Sequence, residues 1–240
     1  MHLVKYSELL TLESDVLNVI RREGVFHRLP TLNTAAHQAQ IVKQYKQPVN
    51  IHLAFTLPMR LREDQQASAI ERDVHVGCLA VGSPDDDEIL QLSYSVLVGR
   101  DAHPSRKIAR KFHFDFEPAK CRNVDEAKPT FHMQLCGKLS PHHLSQGYTE
   151  DDVGHLLPSW SKPRVPTQPM SLALILNWLF MEFSSEAKVH EIRHNAVWQK
   201  TVRAAERKVL LPYYQRCADF LSSHAKDEES FFQALLYEAP

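Results

Sequence analysis

Apolar and polar residues alternate along two short stretches of the chain, Lys111-Phe112-His113-Phe114-Asp115-Phe116-Glu117 and Phe131-His132-Met133-Gln134-Leu135-Cys136. This period of two is typical of β-strands that bury one face and leave the other open. We predict that the two stretches pair as neighbouring strands, with their apolar side chains in the core. The opposite, open face then collects His113, Asp115, His132 and Gln134.

Three earlier stretches alternate in the same way, at residues 49–57, 74–81 and 89–98. The segment Ser83-Pro84-Asp85-Asp86-Asp87 between the last two is rich in turn-forming residues. Short connections of this kind favour an antiparallel meander over a parallel sheet. We therefore predict five strands, and the polar side of the first two adds His52 and His75 to the histidines of the open face, provided that no bulge reverses the register.

Helical patterns flank the predicted sheet on both sides. Apolar residues recur at helical spacing between Ser7 and Gly24, and Met170 to about Lys188 forms a helix that is apolar on most sides. A second long helical pattern runs from Val189 to Ser223, where Pro212 should kink or divide it. The predicted fold is α+β: a mainly antiparallel five-stranded sheet with helices on one face and a C-terminal helical layer. We place the sheet domain at residues 1–160 and the helical region at 161–240.

The bulk composition is that of an ordinary soluble globular protein, with 43% hydrophobic and 24% charged residues. A formal net charge of −1 over 240 residues gives no reason to expect a nucleic-acid-binding protein. The opening residues lack the pattern of a signal peptide, and the apolar run Met170–Phe183 is too short to cross a bilayer. We therefore predict a cytoplasmic protein without membrane association.

Fourteen histidines against seven glycines are the one compositional oddity, and they direct attention to the predicted open face. In one interpretation, His113 and His132 act as general acid and base, Asp115 orients one ring, and Gln134 or Lys111 steadies a phosphate. In a second interpretation, both histidines and Asp115 coordinate a divalent metal ion. In a third, the face is solvated or covered by helices, and its histidines make only structural hydrogen bonds. We take His113, Asp115, His132 and Gln134 as catalytic candidates and expect neither a cofactor nor a metal ion.

The phrase Phe112-His113-Phe114-Asp115-Phe116, followed by Pro129-Thr130-Phe131-His132-Met133-Gln134, resembles a motif in uncharacterised bacterial proteins. Those proteins are often encoded near toxin–antitoxin or phage-defence genes. Small ribonuclease-type toxins of the TumE kind are more distantly similar, with an aromatic-Asp strand followed by a His-bearing strand. The resemblance covers about a third of the chain, and it implies a role in a bacterial defence system.

Two functional hypotheses follow. The first is a non-catalytic, complex-forming subunit of an anti-phage defence or toxin–antitoxin type system. It would dock a protein partner or a second copy through Trp160, the proline-rich segment around it and the C-terminal helices, including Phe231–Leu236. The alternative is a metal-independent ribonuclease-type toxin that acts on RNA or a nucleotide through the histidine-rich face.

Overall fold

The computed structural model contains one antiparallel sheet of six strands, arranged in chain order. The strands are β1 (Val49–Met59), β2 (Ile70–Gly82), β3 (Ile89–Gly99), β4 (Ile108–Phe116), β5 (Phe131–Leu135) and β6 (Arg164–Pro166). Helix α1 (Tyr6–Arg22) precedes the sheet, and α2 (Leu172–Glu182), α3 (Ala187–His194), α4 (Ala196–Ala205) and α5 (Leu211–His224) follow it. The structure describes residues 4–22, 49–59, 70–83, 85–99, 108–116, 118, 130–135, 149, 164–182 and 187–224.

The predicted α+β class is confirmed, and all five predicted strands are present with antiparallel pairing. A sixth strand, β6, was not predicted. It pairs with β5 so that Val165 lies opposite Met133, and the next residue, Thr167, donates its N–H to the Phe131 carbonyl at 3.0 Å. Since β6 follows residue 160 in the chain, the C-terminal region contributes one edge of the sheet.

The core lies between one face of the sheet and the helices. Among the described strand side chains predicted to face inward, most are buried there and a few, such as Phe112 and Met133, are partly buried. They form one continuous apolar cluster with side chains of α1, α2 and α4. At the centre of this cluster are Ile51, Val76, Tyr94, Leu17, Ile175 and Trp198. Toward β4 the edge of the Trp178 ring meets Phe112 and Phe114, with centroid separations of 5.5 and 5.9 Å. The helices therefore cover the apolar face, as predicted.

The turn between β2 and β3 anchors the start of α1. Asp87 accepts hydrogen bonds from the Ser7 N–H at 2.8 Å and the Ser7 hydroxyl at 2.6 Å, and its carbonyl accepts the Tyr6 N–H at 2.8 Å. The carboxylate thus caps a helix terminus, where N–H groups lack partners within the helix. The Tyr6 ring lies directly over Gly82, where a Cβ atom would collide with it. This close approach requires glycine at the end of β2.

The N-terminus of α2 is capped inside the core by the carboxylate of Glu13, which is 1% exposed. Both carboxylate oxygens lie 3.1 Å from the Leu172 N–H, and one of them accepts the Tyr94 hydroxyl at 2.6 Å. Burial raises the pKa of Glu13 from 4.5 to about 7, although both hydrogen bonds act in the opposite direction. Burial also raises the pKa of Tyr94 and of the neighbouring Cys78 thiol.

The C-terminal helices are divided at two positions. Asn195 ends the first segment and caps α4, since its side-chain oxygen accepts the N–H groups of Val197 at 2.8 Å and Trp198 at 3.2 Å. A π-helical turn, Glu206–Leu210, then joins α4 to α5. The π-helical turn ends two residues before Pro212, which has no N–H to donate. The kink or division predicted at this proline thus takes the form of a widened helical turn. Among the described helices, none is long and apolar enough to span a bilayer.

Replacement of the core carboxylate by an amide should change how stability depends on pH. Because the pKa of Glu13 is raised in the folded state, the folded chain holds a proton that the unfolded chain releases between pH 4.5 and 7. Glu13 therefore lowers the stability as the pH rises through this window, by about 3 kcal/mol. As the pH rises from 4.5 to 7, the free energy of unfolding of the Glu13→Gln variant should increase by about 3 kcal/mol relative to that of wild type, as measured by urea unfolding.

A Glu8→Gln variant changes an exposed carboxylate on the same helix and is the matched control, expected to follow the wild-type profile. If the Glu13→Gln and wild-type profiles ran parallel across the window, Glu13 would not be the group that binds the proton.

Candidate functional site

The strand register places all four candidate side chains on the face opposite the helices. In antiparallel pairs, directly opposed residues project to the same side of the sheet. His113 on β4 is opposed by Gln134 on β5, and Asp115 is opposed by His132. The two histidines are thus diagonal neighbours on adjacent strands.

The same register brings two further histidine positions to this face. His75 on β2 is opposed by Leu97 on β3, which is in turn opposed by Lys111 on β4. His52 on β1 is opposed by Gly77, but its side chain lies outside the described part of the structure. The predicted gathering of four histidine positions on one face therefore follows directly from the pairing of the strands.

Three of the four candidates belong to a short chain of polar contacts that crosses the sheet. The Ser93 hydroxyl on β3 donates to Asp115 Oδ1 at 2.5 Å. Asp115 Oδ2 lies 3.7 Å from His132 Nε2, and that nitrogen lies 3.3 Å from Gln134 Nε2. The contacts join β3, β4 and β5 through their side chains, in addition to the backbone ladder.

Part of this face is covered. His132 is 0% exposed and Lys111 is 1% exposed, and the apolar Leu97 beside them is 0% exposed. The expectation of an open polar face is therefore wrong at these positions, whereas His113, Asp115 and Gln134 are only partly buried. Alternation along a strand shows which side chains enter the core, but it carries no information on what covers the other side.

His113 stands apart from the polar chain. Its Nε2 atom is buried and has no hydrogen-bond partner among the residues that the structure describes. Burial, and secondarily the positive charge of Lys111, lowers the pKa of His113 from 6.5 to about 4. The ring is therefore neutral at physiological pH.

This arrangement does not present a pair of histidines to a substrate. A general acid or base must come within hydrogen-bond distance of the reacting group, whereas His132 has no exposed surface. The hydroxyl of Ser93 contacts Asp115, and Asp115 contacts His132, so the carboxylate lies between the hydroxyl and the imidazole. In a nucleophilic triad the imidazole lies in the middle and takes the hydroxyl proton, which His132 cannot do in this order.

The metal interpretation of this face also lacks its ligand set. Within the described ranges, no group of three or more His, Cys, Asp or Glu side chains is placed to hold one ion. The two-histidine, one-carboxylate arrangement considered from the sequence is therefore not assembled by His113, Asp115 and His132.

Attention to the strands missed two groups in the helices. Glu13 was not distinguished from a solvent-exposed acid, because the polar partner Tyr94 is remote in sequence. The exposed pair His190 and His194 was overlooked as well. Its signal was present in the sequence, since two histidines four residues apart project from the same side of a helix.

Replacement of the buried neutral imidazole should also change the acid stability. Since the pKa of His113 is lowered in the folded state, the unfolded chain binds the extra proton between pH 6.5 and 4. His113 contributes stability that is present above pH 6.5 and lost as the pH falls to 4, up to about 3 kcal/mol. As the pH falls from 6.5 to 4, the free energy of unfolding of a His113→Phe variant should increase by up to about 3 kcal/mol relative to that of wild type, as measured by urea unfolding.

The control is His190→Gln, which removes a histidine from an exposed helical position. A His113→Phe profile that tracked the wild type from pH 7 to pH 4 would show that His113 does not titrate as a buried group.

Comparison with known proteins gives this chain no relatives: no protein-family profile, no curated protein and no solved structure matches it.

Proposed function

We propose that this chain is a non-catalytic, complex-forming subunit that binds a helix of a protein partner through α5. The observation that carries the proposal is a row of exposed apolar side chains on this helix. Leu211 and Tyr214 are each 50% exposed, and Leu221 is 46% exposed. Large apolar side chains grouped on one surface mark interaction sites in soluble proteins.

The spacing of the row indicates the shape of the partner. Together with the exposed Ala218, these side chains recur at intervals of three, four and three residues, the pattern of coiled-coil contact positions. An amphipathic helix laid along α5 could place its own apolar side chains between them. We refer to Leu211, Tyr214, Ala218 and Leu221 as the α5 stripe.

Two contacts, one from Tyr213 and one from the stripe residue Tyr214, hold α5 in place. The Tyr213 ring meets the edge of Phe131 on β5 at a centroid separation of 5.7 Å. The Tyr214 hydroxyl donates to the Gln168 side-chain oxygen at 2.5 Å, which ties the helix to the segment after β6. A surface fixed in this way loses little conformational entropy on binding.

The burial of His132 supports the non-catalytic part of the proposal, because this imidazole, which lies beside Asp115 in the polar chain, has no exposed surface for a substrate to contact. The assignment to an anti-phage defence or toxin–antitoxin type system in the bacterial cytoplasm rests on the sequence resemblance of residues 112–116 and 129–134. The other docking elements suggested by the sequence, Trp160 and Phe231–Leu236, lie outside the described residues.

One observation favours the alternative, a metal-independent ribonuclease-type toxin. A histidine held neutral with a buried ring nitrogen, as in His113, has the protonation state that a general base needs. Catalysis would require an opening of the face around His132. Expression of wild type, His113→Ala and His132→Ala in bacteria distinguishes the two functions, since toxicity lost in both variants would support the nuclease.

Substitution on the α5 stripe should weaken binding of the partner. We expect the product of a neighbouring gene to co-purify with wild type, and a Tyr214→Lys, Leu221→Lys double variant to bind it at least about tenfold more weakly, because interface anchors typically contribute 1–2 kcal/mol or more. Affinity is measured by isothermal titration calorimetry with the purified partner.

Val197→Lys is the matched control, since Val197 is an apolar residue of similar exposure, 46%, on α4. Equal weakening by the control and the double variant would show a general effect of added charge. Undiminished binding by the double variant would remove α5 from the interface.

A further inference from the structure

We propose that α3 carries a surface binding site for one divalent transition-metal ion, formed by the imidazoles of His190 and His194. This inference is independent of the α5 stripe, and it departs from the expectation, drawn from the sequence, of no metal ion. It rests on the spacing of the two residues, the geometry of their rings and the hydrogen bond that orients one of them.

The segment His190-Glu191-Ile192-Arg193-His194 has the spacing of two histidines on a helix that bind zinc together. Residues four apart lie on one face of a helix about one turn from each other. Here that face is open, since both histidines are exposed, whereas Val189 and Ile192 on the other face are buried and attach α3 to the core. The two histidines thus lie on the exposed face of a helix whose opposite face packs on the core.

The two rings already lie side by side. Their centroids are 3.9 Å apart and their planes differ by 23°. A tetrahedral zinc ion with bonds of 2.0–2.1 Å needs its two nitrogen ligands about 3.3–3.4 Å apart. Because the rings are stacked face to face, binding requires both side chains to rotate about their own bonds until the two Nε2 lone pairs converge on one ion, which leaves the helix backbone unchanged.

A hydrogen bond fixes which nitrogen of His194 is available. His194 Nδ1 lies 2.8 Å from the carbonyl oxygen of His190. A carbonyl oxygen can only accept, so Nδ1 carries the proton and Nε2 of the neutral ring presents its lone pair to the solvent. Metal-binding histidines are commonly oriented by this kind of bond from the second ring nitrogen to a backbone carbonyl.

The ligand type selects the ion. Imidazole nitrogens suit Zn²⁺, Cu²⁺ and Ni²⁺, whereas Mg²⁺ and Ca²⁺ prefer oxygen ligands. Two protein nitrogens would leave the other coordination positions to water or to a ligand from another molecule. This is why the site is expected to bind less tightly than a structural zinc site with four protein ligands.

The same five-residue spacing occurs in zinc peptidases, in which a further protein ligand completes the site and the glutamate acts as general base. In the described portion of the chain, no set of three His, Cys, Asp or Glu side chains is placed to share an ion. The exposed Glu191 lies on an open surface helix. We therefore assign metal binding to the pair, and the test below distinguishes it from peptide hydrolysis.

Titration of the full-length chain with zinc chloride tests the site. Isothermal titration calorimetry should show one ion bound per chain through this pair, and either His190→Ala or His194→Ala should weaken that binding by at least about tenfold, since even loss of an orienting partner costs 10–100-fold. In nuclear magnetic resonance spectra of the ¹⁵N-labelled imidazoles, zinc should shift Nε2 of His190 and His194.

Three control variants make the test specific. Glu191→Gln should bind zinc as wild type does, because the carboxylate is not a ligand. The Tyr214→Lys, Leu221→Lys variant should also bind normally, so that failure of the docking proposal and failure of this one are distinguishable. A His142→Ala, His143→Ala variant removes a histidine pair elsewhere in the sequence and should have no effect.

The proposal is overturned if zinc binding survives both single substitutions in α3, or if it is lost only with His142 and His143. Zinc-dependent cleavage of a peptide substrate that is abolished by Glu191→Gln would also overturn it in favour of a peptidase centre.

Discussion

A single buried carboxylate holds together the three parts of the core. Glu13 comes from α1, receives the Tyr94 hydroxyl from β3 and caps α2 at the Leu172 N–H. Because α2 is apolar on nearly all sides, hydrophobic burial alone gives it no preferred start or rotation. The hydrogen bonds to Glu13 supply this information, since an unpaired polar group at that position would be costly in the apolar interior. The start of α2 on the sheet is thus specified by a polar contact, in addition to apolar packing such as that of Trp178 on Phe112 and Phe114.

The burial of Glu13 changes its pKa, and His113 on the other side of the sheet shows a change in the opposite direction. Burial raises the pKa of Glu13 and lowers that of His113, so both groups favour their neutral forms in the folded chain. Acidification below pH 7 favours the folded state through Glu13 and disfavours it through His113, and the two windows overlap. The contributions of these two groups to stability therefore oppose each other as the pH changes.

The sheet could be predicted from the sequence because alternation at a period of two specifies both the strand and its inward side. This information sufficed for β1 to β5 and for the shared face of His113 and His132. It could not reveal β6, whose three residues are too few to show a period. Nor could it show that Lys111 is buried, since a lysine in an alternating strand has the same pattern whether its face is solvated or covered. Pairings between remote residues, such as Glu13 with Tyr94, leave no local pattern at all.

The candidate side chains that are most exposed to solvent lie on the helices and not on the sheet. The sequence drew attention to the histidines of the strands, but a side chain can bind a ligand only where the ligand reaches it. His132 is fully buried, whereas His190, His194 and the α5 stripe face the solvent. Between α3 and α5, helix α4 is fixed to the core by Trp198, which packs on Phe180 of α2 at a centroid separation of 5.3 Å. The polar chain ties β3, β4 and β5 together beneath the helical layer, and the two proposed binding surfaces, His190 with His194 and the α5 stripe, both lie on the C-terminal helices.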